Sequence, residues 1–300
     1  MAAQPKAVGE RQSELNAGTR GQWALFASHR RRIEQLLDSA LPQKSPSLLG
    51  QAQRLPRLCV LGAGNCNDLD LRLLARRFAD IHLIDIDPAA LARGIHRQDV
   101  AGLNRLHCHA PIDLTGLAPT FDRWLGVEPA ASEIGAAIEA AKTAPPPAVP
   151  GPFDVVLSSC VLSQLLGPAR DRLQVNRHLL PSLGRAIISR HLRMMLQLLS
   201  PGGCAVFISD LVSSDTEPAL ARVPDDSLAE LMRSLVQRRR TFAGLDPRAI
   251  SIVLDELGVD RKWCAPWLWH LSPRRTYLVY AVLMRRKLSA ERQIATWSQT

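Results

Sequence analysis

Two glycines followed by an acid form the part of the sequence with the clearest chemical signature. Gly62 and Gly64 come directly after the apolar run 58–61, and Asp85 ends the next apolar run. Glycine lets the backbone turn tightly and approach a ligand closely. A carboxylate at the end of the second strand of such a unit can accept hydrogen bonds from a ribose diol. The spacing therefore predicts a binding site for a ligand that contains a nucleoside.

The elements around this motif alternate between strands and helices. The apolar runs that predict parallel strands lie at 58–61, 81–85, 103–110, 153–159 and 204–209. Two more strand patterns, at 263–271 and 276–284, are joined by a connection so short that it requires antiparallel pairing. We therefore predict an α/β fold with a doubly wound, seven-stranded sheet, mostly parallel with a C-terminal antiparallel hairpin. Helices are expected on both faces of this sheet, with one further helix at the N-terminus.

The segment ahead of the first strand divides into a polar part and a helical part. Residues 1–20 are polar and are expected to be frayed, whereas 22–38 has the apolar spacing of a helix. Proline and serine residues then predict a connector into the first strand. The predicted organisation is an N-terminal helical extension or lid at 1–56, one domain at 57–288 with a helical insertion at about 211–260, and a tail at 289–300.

The composition excludes several classes of protein. The chain has 300 residues, of which 46% are hydrophobic, enough for one large domain with a core. No apolar run reaches the roughly 18 residues that a membrane span requires, and the first residues lack the apolar segment of a secretory signal. We expect a cytoplasmic protein without a membrane partner.

The six cysteines include no closely spaced pair of the kind that binds zinc. Cys59, Cys108, Cys160 and Cys204 lie in or beside predicted strands, so we expect them to pack as buried free thiols. The sequence 107–109 places a histidine on each side of Cys108, but a strand directs the histidines to one face and the cysteine to the other. No metal site is therefore expected.

A formal net charge of +9 and a pI near 9.8 allow binding to RNA or to an acidic partner. The basic residues are scattered, however, in the groups 30–32, 238–240, 274–275 and 285–287, with few aromatic residues between them. This distribution favours a solvated basic surface, and RNA stays an alternative partner.

Negative charge after the glycine turn distinguishes between two kinds of nucleoside ligand. A dinucleotide-binding motif prefers a third glycine where this chain has Asn67, and its pyrophosphate binds at a helix start free of acids. Here Asp68 and Asp70 lie at the expected helix start. These carboxylates oppose a pyrophosphate but suit a ligand with a cationic sulfonium and an amino group, so a nicotinamide oxidoreductase is the more distant alternative.

With these features in order, residues 57–285 resemble the class I S-adenosylmethionine-dependent methyltransferases. The glycine loop looks like the first family motif, 153–166 looks like the fourth-strand motif, and the terminal strand pair resembles the family's antiparallel strands. The resemblance implies S-adenosylmethionine as cofactor and S-adenosylhomocysteine as product, with Asp85 on the ribose hydroxyls and Asp113 at the adenine amino group. An equal alternative for Asp113 is a cap of the turn that follows it. The cofactor-binding residues that it implies are Gly62, Ala63, Gly64, Asn65, Asp85, Ile86, Asp113, Leu114, Ser159 and Cys160.

Two positions depart from the family's pattern. The family often has an acid where this chain has Val60 and a third glycine where it has Cys66. Both positions are near the methionine part of the cofactor. Its amino group is therefore expected to be held differently, by backbone carbonyls or by Asn65 and Asp68.

The helix ahead of the first strand is a candidate lid over the cofactor. In this interpretation Arg30 or His29 reaches the methionine carboxylate, and Trp23 forms a wall of the acceptor pocket. The alternative interpretation is a helix that only packs against the domain.

The predicted reaction is in-line methyl transfer to a small or medium-sized acceptor, achieved mainly through positioning. The apolar run 160–162 and the tryptophans within 263–269 favour a partly apolar acceptor, and Gln164 is the candidate for orienting it. No catalytic base is named, because one is needed only if the acceptor must lose a proton. The alternatives are an RNA or protein methyltransferase that uses the basic surface, and a cofactor-binding scaffold that is catalytically silent.

Overall fold

The computed structural model describes residues 6–41 and 54–286 and contains one seven-stranded sheet. Its strand order is β3-β2-β1-β4-β5-β7-β6. The strands are β1 (Arg57–Leu61), β2 (Asp80–Ile84), β3 (Leu106–His109), β4 (Phe153–Ser159), β5 (Leu199–Ser213), β6 (Val259–Ser272) and β7 (Arg275–Arg286).

The first five strands pair in parallel, and β7 pairs antiparallel with both β5 and β6. The chain winds outward from β1 through β2 to β3, then returns to the other side of β1 and continues through β4 to β5. The carboxyl ends of β1 and β4 therefore flank the topological switch, where ligands of doubly wound sheets bind. The predicted α/β fold, including its antiparallel hairpin, is confirmed.

Ten helices of the described residues surround the sheet. They are α1 (Val8–Gly18), α2 (Ala27–Ala40), α3 (Leu71–Arg77), α4 (Pro88–Gln98), α5 (Ala118–Arg123), α6 (Ala131–Thr143), α7 (Leu162–Arg172), α8 (Leu180–Gln197), α9 (Leu228–Gln237) and α10 (Pro247–Glu256). Residues from α2 to α4 pack in the core on one face, and residues from α5 to α10 pack in the core on the other.

Strand β1 shows why both faces are covered. Leu58 and Val60 belong to one core cluster, whereas Cys59 and Leu61 belong to the other. Successive side chains of a strand point to opposite faces, and a parallel strand buried on both sides is apolar throughout. The uninterrupted apolar run of the sequence thus follows from the position of β1 at the centre of the sheet.

The structure corrects the prediction for the N-terminal residues. The polar segment expected to be frayed contains the helix α1, and the predicted helix at 22–38 begins only at Ala27. Trp23 lies in the turns that precede it. The helix predicted from Asp68 starts at Leu71, because the Asp70 side chain accepts a hydrogen bond from Leu73 N (2.9 Å) and caps the helix there.

Several boundaries on the C-terminal side also differ from the prediction. The fifth strand is longer than 204–209, since β5 extends to Ser213, and the helices expected in the insertion are α9 and α10. The division into an extension, a domain and an insertion stays a prediction. The proposed tail at 289–300 and the prolines at 42 and 46 lie outside the described residues.

The cysteines are free, and three of the four expected in the core are buried. Cys108 is exposed, and it lies in β3, a four-residue strand at the edge of the sheet. The flanking histidines share the opposite face, where the rings of His107 and His109 lie 4.5 and 5.1 Å from the ring of His82. No helix in 6–41 or 54–286 has the length and apolar character to cross a membrane.

Buried neutral histidines make the fold sensitive to acid. His191 is fully buried, bonds the Ser158 hydroxyl (2.8 Å), and has its pKa lowered to about 3 by burial and by Arg190. The unfolded chain takes up this proton near pH 6.5. The contribution of His191 to stability is therefore fully present above pH 6.5 and is lost as the pH falls toward 3. The loss reaches about 2 kcal/mol at pH 5.

We expect the free energy of unfolding to fall between pH 7 and pH 5, and this fall to be about 1–2 kcal/mol smaller in His191→Gln. Urea unfolding at the two pH values measures it. His178→Gln, which changes an exposed histidine, is the control and should behave as the wild type. An unchanged pH dependence in His191→Gln would show that this histidine is not the acid-sensitive group.

Candidate functional site

Two adjoining cavities lie at the carboxyl ends of β1, β2, β4 and β5. The Asp85 cavity has a volume of about 40 Å³, and its walls include Gly62, Asp85, Ile86, Asp113, Leu114 and Val161. The Asp210 cavity has a volume of about 180 Å³, and its walls include Gly64, Asp68, Ser159, Cys160, Asp210, Trp269 and Tyr277. Gln12, Gly62 and Gln164 line both cavities.

The glycine turn requires glycine at both positions. Gly62 and Gly64 have φ angles of +72° and +49°, which side chains strongly disfavour. A Cβ atom on Gly62 would lie 2.2 Å from Cγ2 of Val161, at the start of α7. The turn is anchored to the neighbouring strand, since Gly62 N and Ala63 N both donate to the carbonyl of Ile84. The backbone can thus form the floor between the two cavities.

Asp85 is 3% exposed and is held by the backbone. Its Oδ2 accepts from Gly64 N (2.7 Å), and its Oδ1 accepts from Asp87 N (2.8 Å). Burial raises the pKa of this carboxyl, while the two backbone donors favour its charged form. Each carboxylate oxygen has lone pairs beyond these bonds, so Asp85 can still accept hydrogen bonds from a ligand in its cavity.

Asp113 faces the same cavity but is also used within the chain. Its Oδ1 accepts from Thr115 N and Oγ1, and its Oδ2 accepts from Ala118 N (2.7 Å) at the start of α5. The carboxylate therefore orders the turn that leads into this helix. Leu114 and Ile86 supply apolar surface beside it, which suits one face of a planar ring.

Ser159 and Cys160 end β4 and line the Asp210 cavity, as predicted for residues near a ligand. Cys160 has a φ of +51° and donates its backbone N–H to Ile208 O. Burial raises the pKa of its thiol well above the usual value, so the thiol stays protonated. The thiol is thus an apolar part of the wall rather than a nucleophile.

Helix α1 covers both cavities, and the sequence did not reveal it. Asn16 Nδ2 donates to Asp87 Oδ2 (3.0 Å), and Asn16 O accepts from Asn65 Nδ2 (2.6 Å). Gln12 Nε2 donates to Gln164 Oε1 (2.7 Å) across the boundary between the cavities. Because α1 docks mainly through polar side chains, it has no apolar stripe that could have predicted it.

These contacts change the interpretation of two predicted site residues. The side chain of Asn65 lines the Asp210 cavity but bonds α1 and the loop after it, with Thr19 Oγ1 at 3.2 Å. Gln164 is held by Gln12 and by the carbonyl of Cys160 (3.2 Å). Both residues lie at the site, where they tether α1 to the glycine turn and to α7.

Arg30 is not among the residues that line either cavity, and its predicted contact with the methionine carboxylate stays a prediction. Its Nη1 donates to the carbonyls of Trp23 and Asn67, both at 2.7 Å, and its guanidinium lies 3.7 Å from the centre of the Trp23 ring. Arg30 therefore fixes the turns before α2 against the glycine loop. His29 also packs inside, accepting from Trp267 Nε1 (3.0 Å).

Asp68 brings a carboxyl to the Asp210 cavity, whereas residue 60, where an acid was expected from the resemblance, is a valine. Val60 is buried in the core facing α2 to α4 and cannot serve there, whereas the Asp68 carboxyl lines the Asp210 cavity. Burial raises the pKa of Asp68 to about 6, and hydrogen bonds from Ser159 and the backbone oppose this shift. The carboxyl is thus charged at neutral pH and faces the cavity beside the glycine turn.

Three buried polar atoms beside the Asp210 cavity have no hydrogen-bond partner among the described residues. They are Asn67 Oδ1, Asp210 Oδ1 and Trp269 Nε1, and all three residues line the cavity. Buried polar atoms are nearly always paired, so these three atoms are available to a ligand that enters the cavity. Asn67 and Asp210 were not predicted as site residues, whereas Trp269 is one of the tryptophans that the sequence connected with the acceptor. Asp210 approaches the glycine turn only through the strand order of the sheet.

A larger cavity of about 440 Å³ lies between α7, α8 and α10. Its walls are mainly apolar, with Arg170, Arg177 and Arg185 among them, and no strand-end residue contributes to it. Because ligands of a doubly wound sheet bind outside the carboxyl ends of its strands, we assign the functional site to the two smaller cavities. In 6–41 and 54–286 no group of three or more potential ligands could hold a metal ion.

No protein-family model matches the chain, and no curated protein matches its sequence. Among solved structures, the N-methyltransferase NodS from Bradyrhizobium japonicum WM9 in complex with S-adenosyl-L-homocysteine is similar to it, with 16% identity, a TM-score of 0.39, and 84% of this chain and 86% of that chain covered. The magnesium protoporphyrin IX methyltransferase ChlM from Synechocystis PCC 6803 has 12% identity and a TM-score of 0.42, with 86% and 84% covered.

A putative S-adenosyl-L-methionine-dependent methyltransferase from Methanococcus maripaludis has 11% identity and a TM-score of 0.44, and 97% of this chain and 99% of that chain are covered. Similarities at such identities and TM-scores below 0.5 carry no argument about this chain. The fold assignment rests on the strand order, and the function must be argued from the site.

The docking of α1 through Asn16 can be tested by stability and proteolysis. Asn16→Ala removes the donor to the buried Asp87 carboxylate, a charged hydrogen bond that contributes about 1.5–3 kcal/mol. We expect the free energy of unfolding to fall by about that amount and trypsin to cleave faster at Arg11 and Arg20. Glu10→Ala, an exposed position on the same helix, is the control. Equal cleavage rates in Asn16→Ala and wild type would mean that this contact does not hold α1.

Proposed function

We propose that this protein is an S-adenosylmethionine-dependent methyltransferase acting on a small or medium-sized acceptor. The observation that carries the proposal is the junction of Gly64 and Asp85. A positive-φ glycine turn donates a backbone hydrogen bond to a buried carboxylate at the carboxyl end of β2, beside the topological switch. This arrangement presents a carboxylate to a ribose while the glycine backbone admits the ligand closely.

The lining of the Asp85 cavity supports an adenosine at this place. The carboxylate of Asp85 would accept from the ribose hydroxyls, and Ile86 and Leu114 would contact the faces of the adenine ring. Asp113 would accept from the adenine amino group. Since Gln12 and Gln164 separate this cavity from its neighbour, parting these two side chains would let one ligand extend through both.

The methionine end of the cofactor would lie in the Asp210 cavity, beside Asp68 and Asn67. The Asp68 carboxylate and the unpartnered Asn67 Oδ1 are both acceptors, which an amino group can satisfy. Asp68 would thus replace the acid that Val60 cannot supply.

The charges at the site argue against a pyrophosphate. Asp68 and Asp210 line the Asp210 cavity, and Arg275, the one cationic residue among the described residues of its lining, forms an ion pair with Asp215 (2.6 Å). A site with this balance repels phosphate but stabilises a sulfonium and an ammonium group. The acids after the glycine turn therefore favour the methyl donor over a dinucleotide.

When bound, the cofactor supplies a methyl group attached to a cationic sulfur, which a nucleophile can accept directly. The residues of this chain would hold the acceptor in line and exclude water, effects that account for much of the rate in such reactions. Phe26 and Trp269 form apolar walls, and α1 closes the other side. Because this cavity of about 180 Å³ would also hold the methionine end of the cofactor, it leaves room only for a small acceptor.

The central role of Asp85 predicts a loss of cofactor affinity in Asp85→Asn. Replacing a charged acceptor weakens its hydrogen bonds by about 1.5–3 kcal/mol, so the Kd for S-adenosylhomocysteine should rise by about 10- to 150-fold. Isothermal titration calorimetry measures this value. Asp99→Asn changes an exposed acid after α4 and should bind as the wild type does. Unchanged affinity in Asp85→Asn, or no binding by the folded wild type, would refute the proposal.

The proposed role of Asp68 predicts that the affinity for S-adenosylhomocysteine depends on pH. Its carboxyl must be charged to hold an amino group, and its pKa is about 6, so affinity for S-adenosylhomocysteine is full above pH 6 and falls below it. Between pH 7.5 and pH 5 the Kd should rise by about tenfold. In Asp68→Asn the affinity should be lower at pH 7.5 and nearly independent of pH. A wild-type pH profile that persists in Asp68→Asn would exclude this role.

A further inference from the structure

Asp210 is a buried acid that the binding of the cofactor does not explain. It lies near the end of β5, is 3% exposed, and lines the Asp210 cavity. Its Oδ1 has no hydrogen-bond partner in the part of the chain that the structure describes. Leaving a charged group buried and unpaired costs free energy. Binding of a ligand group that pairs with Asp210 removes this cost and is therefore favoured.

The charged groups around Asp210 leave its charge largely uncompensated inside the cavity. Burial raises the pKa of Asp210 to about 6, a shift that the Ser163 hydroxyl, its own backbone and the positive charge of Arg170 oppose. Arg170 lines the separate cavity beside α8 and is exposed to solvent. Arg275 lines the Asp210 cavity but is paired with Asp215. The cavity thus lacks a cation of its own that pairs with Asp210.

Aromatic rings form the wall next to this acid. The ring of Trp269 lies 5.3 Å from Phe26 and 5.4 Å from Tyr277, measured between centroids, and all three residues line the cavity. Ring faces attract cations, most strongly when water is excluded. A carboxylate and several aromatic rings around one cavity form an environment that favours a positive charge.

We infer that the methyl acceptor is an amine, bound through its ammonium form with an N–H donated to Asp210 Oδ1 and its positive charge facing the aromatic wall. The Asp210 carboxylate would then accept this proton, because only the neutral amine has a lone pair. As the lone pair forms the new N–C bond, the bond between the methyl carbon and the sulfonium sulfur would break, leaving S-adenosylhomocysteine and a methylated ammonium. This inference rests on the proposed function in treating the bound amine as the acceptor. Asp210 is then a specificity-determining residue, because it selects the acceptor by charge.

A neutral hydroxyl or an acid fits this cavity less well. A hydroxyl can donate a hydrogen bond to Asp210 Oδ1 but leaves the buried negative charge uncompensated. An acidic acceptor adds a further negative charge beside Asp68 and Asp210. An ammonium group supplies both the donor and the charge, and a site built for such a group rejects analogues that lack it.

The test compares two probes of the same shape, 2-phenylethylamine and 2-phenylethanol, by calorimetry on the full chain with and without saturating S-adenosylhomocysteine. We expect the wild type to bind the amine at least about tenfold more tightly than the alcohol. In Asp210→Asn this preference should fall to less than about threefold, while the affinity for S-adenosylhomocysteine stays as in the wild type. Asp260→Asn, an exposed acid on β6, is the matched control and should keep the preference.

Four results would overturn the inference: equal binding of the two probes by the wild type, binding of neither, a preference that survives in Asp210→Asn, or, when S-adenosylmethionine is titrated in the same way, a loss of its affinity in Asp210→Asn without any amine preference in the wild type. The last result would assign Asp210 to the sulfonium instead. The wild-type preference does not depend on whether the variant folds. An amine preference together with no binding of S-adenosylhomocysteine would refute the methyltransferase proposal while leaving the amine site supported.

Discussion

The hydrogen bond from Gly64 N to the buried Asp85 carboxylate is the interaction on which the rest of the site depends. It joins the turn after β1 to the end of β2, and both elements reach this point because parallel strands end at the same edge of the sheet. The turn adopts positive φ only because glycine tolerates it. The position of this carboxylate then decides where a ribose can bind and where the remaining acids lie relative to the ligand.

The second constraint is the polar cover that α1 provides. Its contacts with Asp87, Asn65 and Gln164 are hydrogen bonds, which have alternatives in water, whereas the sheet beneath is held by apolar burial. Opening of α1 therefore costs less free energy than opening of the core, as is typical of segments that admit ligands. Movement of α1 away from the sheet would let cavities of about 40 and 180 Å³ accept a larger ligand while the strands stay in place.

The sequence predicted the parts of the structure that local patterns determine. Strand β4 matches its prediction residue for residue, and the seven strands, the C-terminal hairpin and the turn at Gly62 and Gly64 were all expected from the apolar runs and the glycines. Helix α1 was missed because it has no apolar stripe. The contacts of Arg30 with the carbonyls of Trp23 and Asn67 were not foreseen, and its role toward the cofactor stays a prediction. Asp210 is brought to the cavity by pairing between strands, which no local pattern encodes.

The most direct test of the account is a competition for the site. Purified protein is incubated with equimolar S-adenosylhomocysteine and NAD⁺, separated from unbound ligand, and denatured, and the released molecules are identified and quantified by mass spectrometry. The acidic cavities predict that S-adenosylhomocysteine is retained at one molecule per chain and that NAD⁺ is absent. Retention of NAD⁺, or of neither ligand by the folded protein, would contradict the assignment of Gly64 and Asp85 to a methyl-donor site.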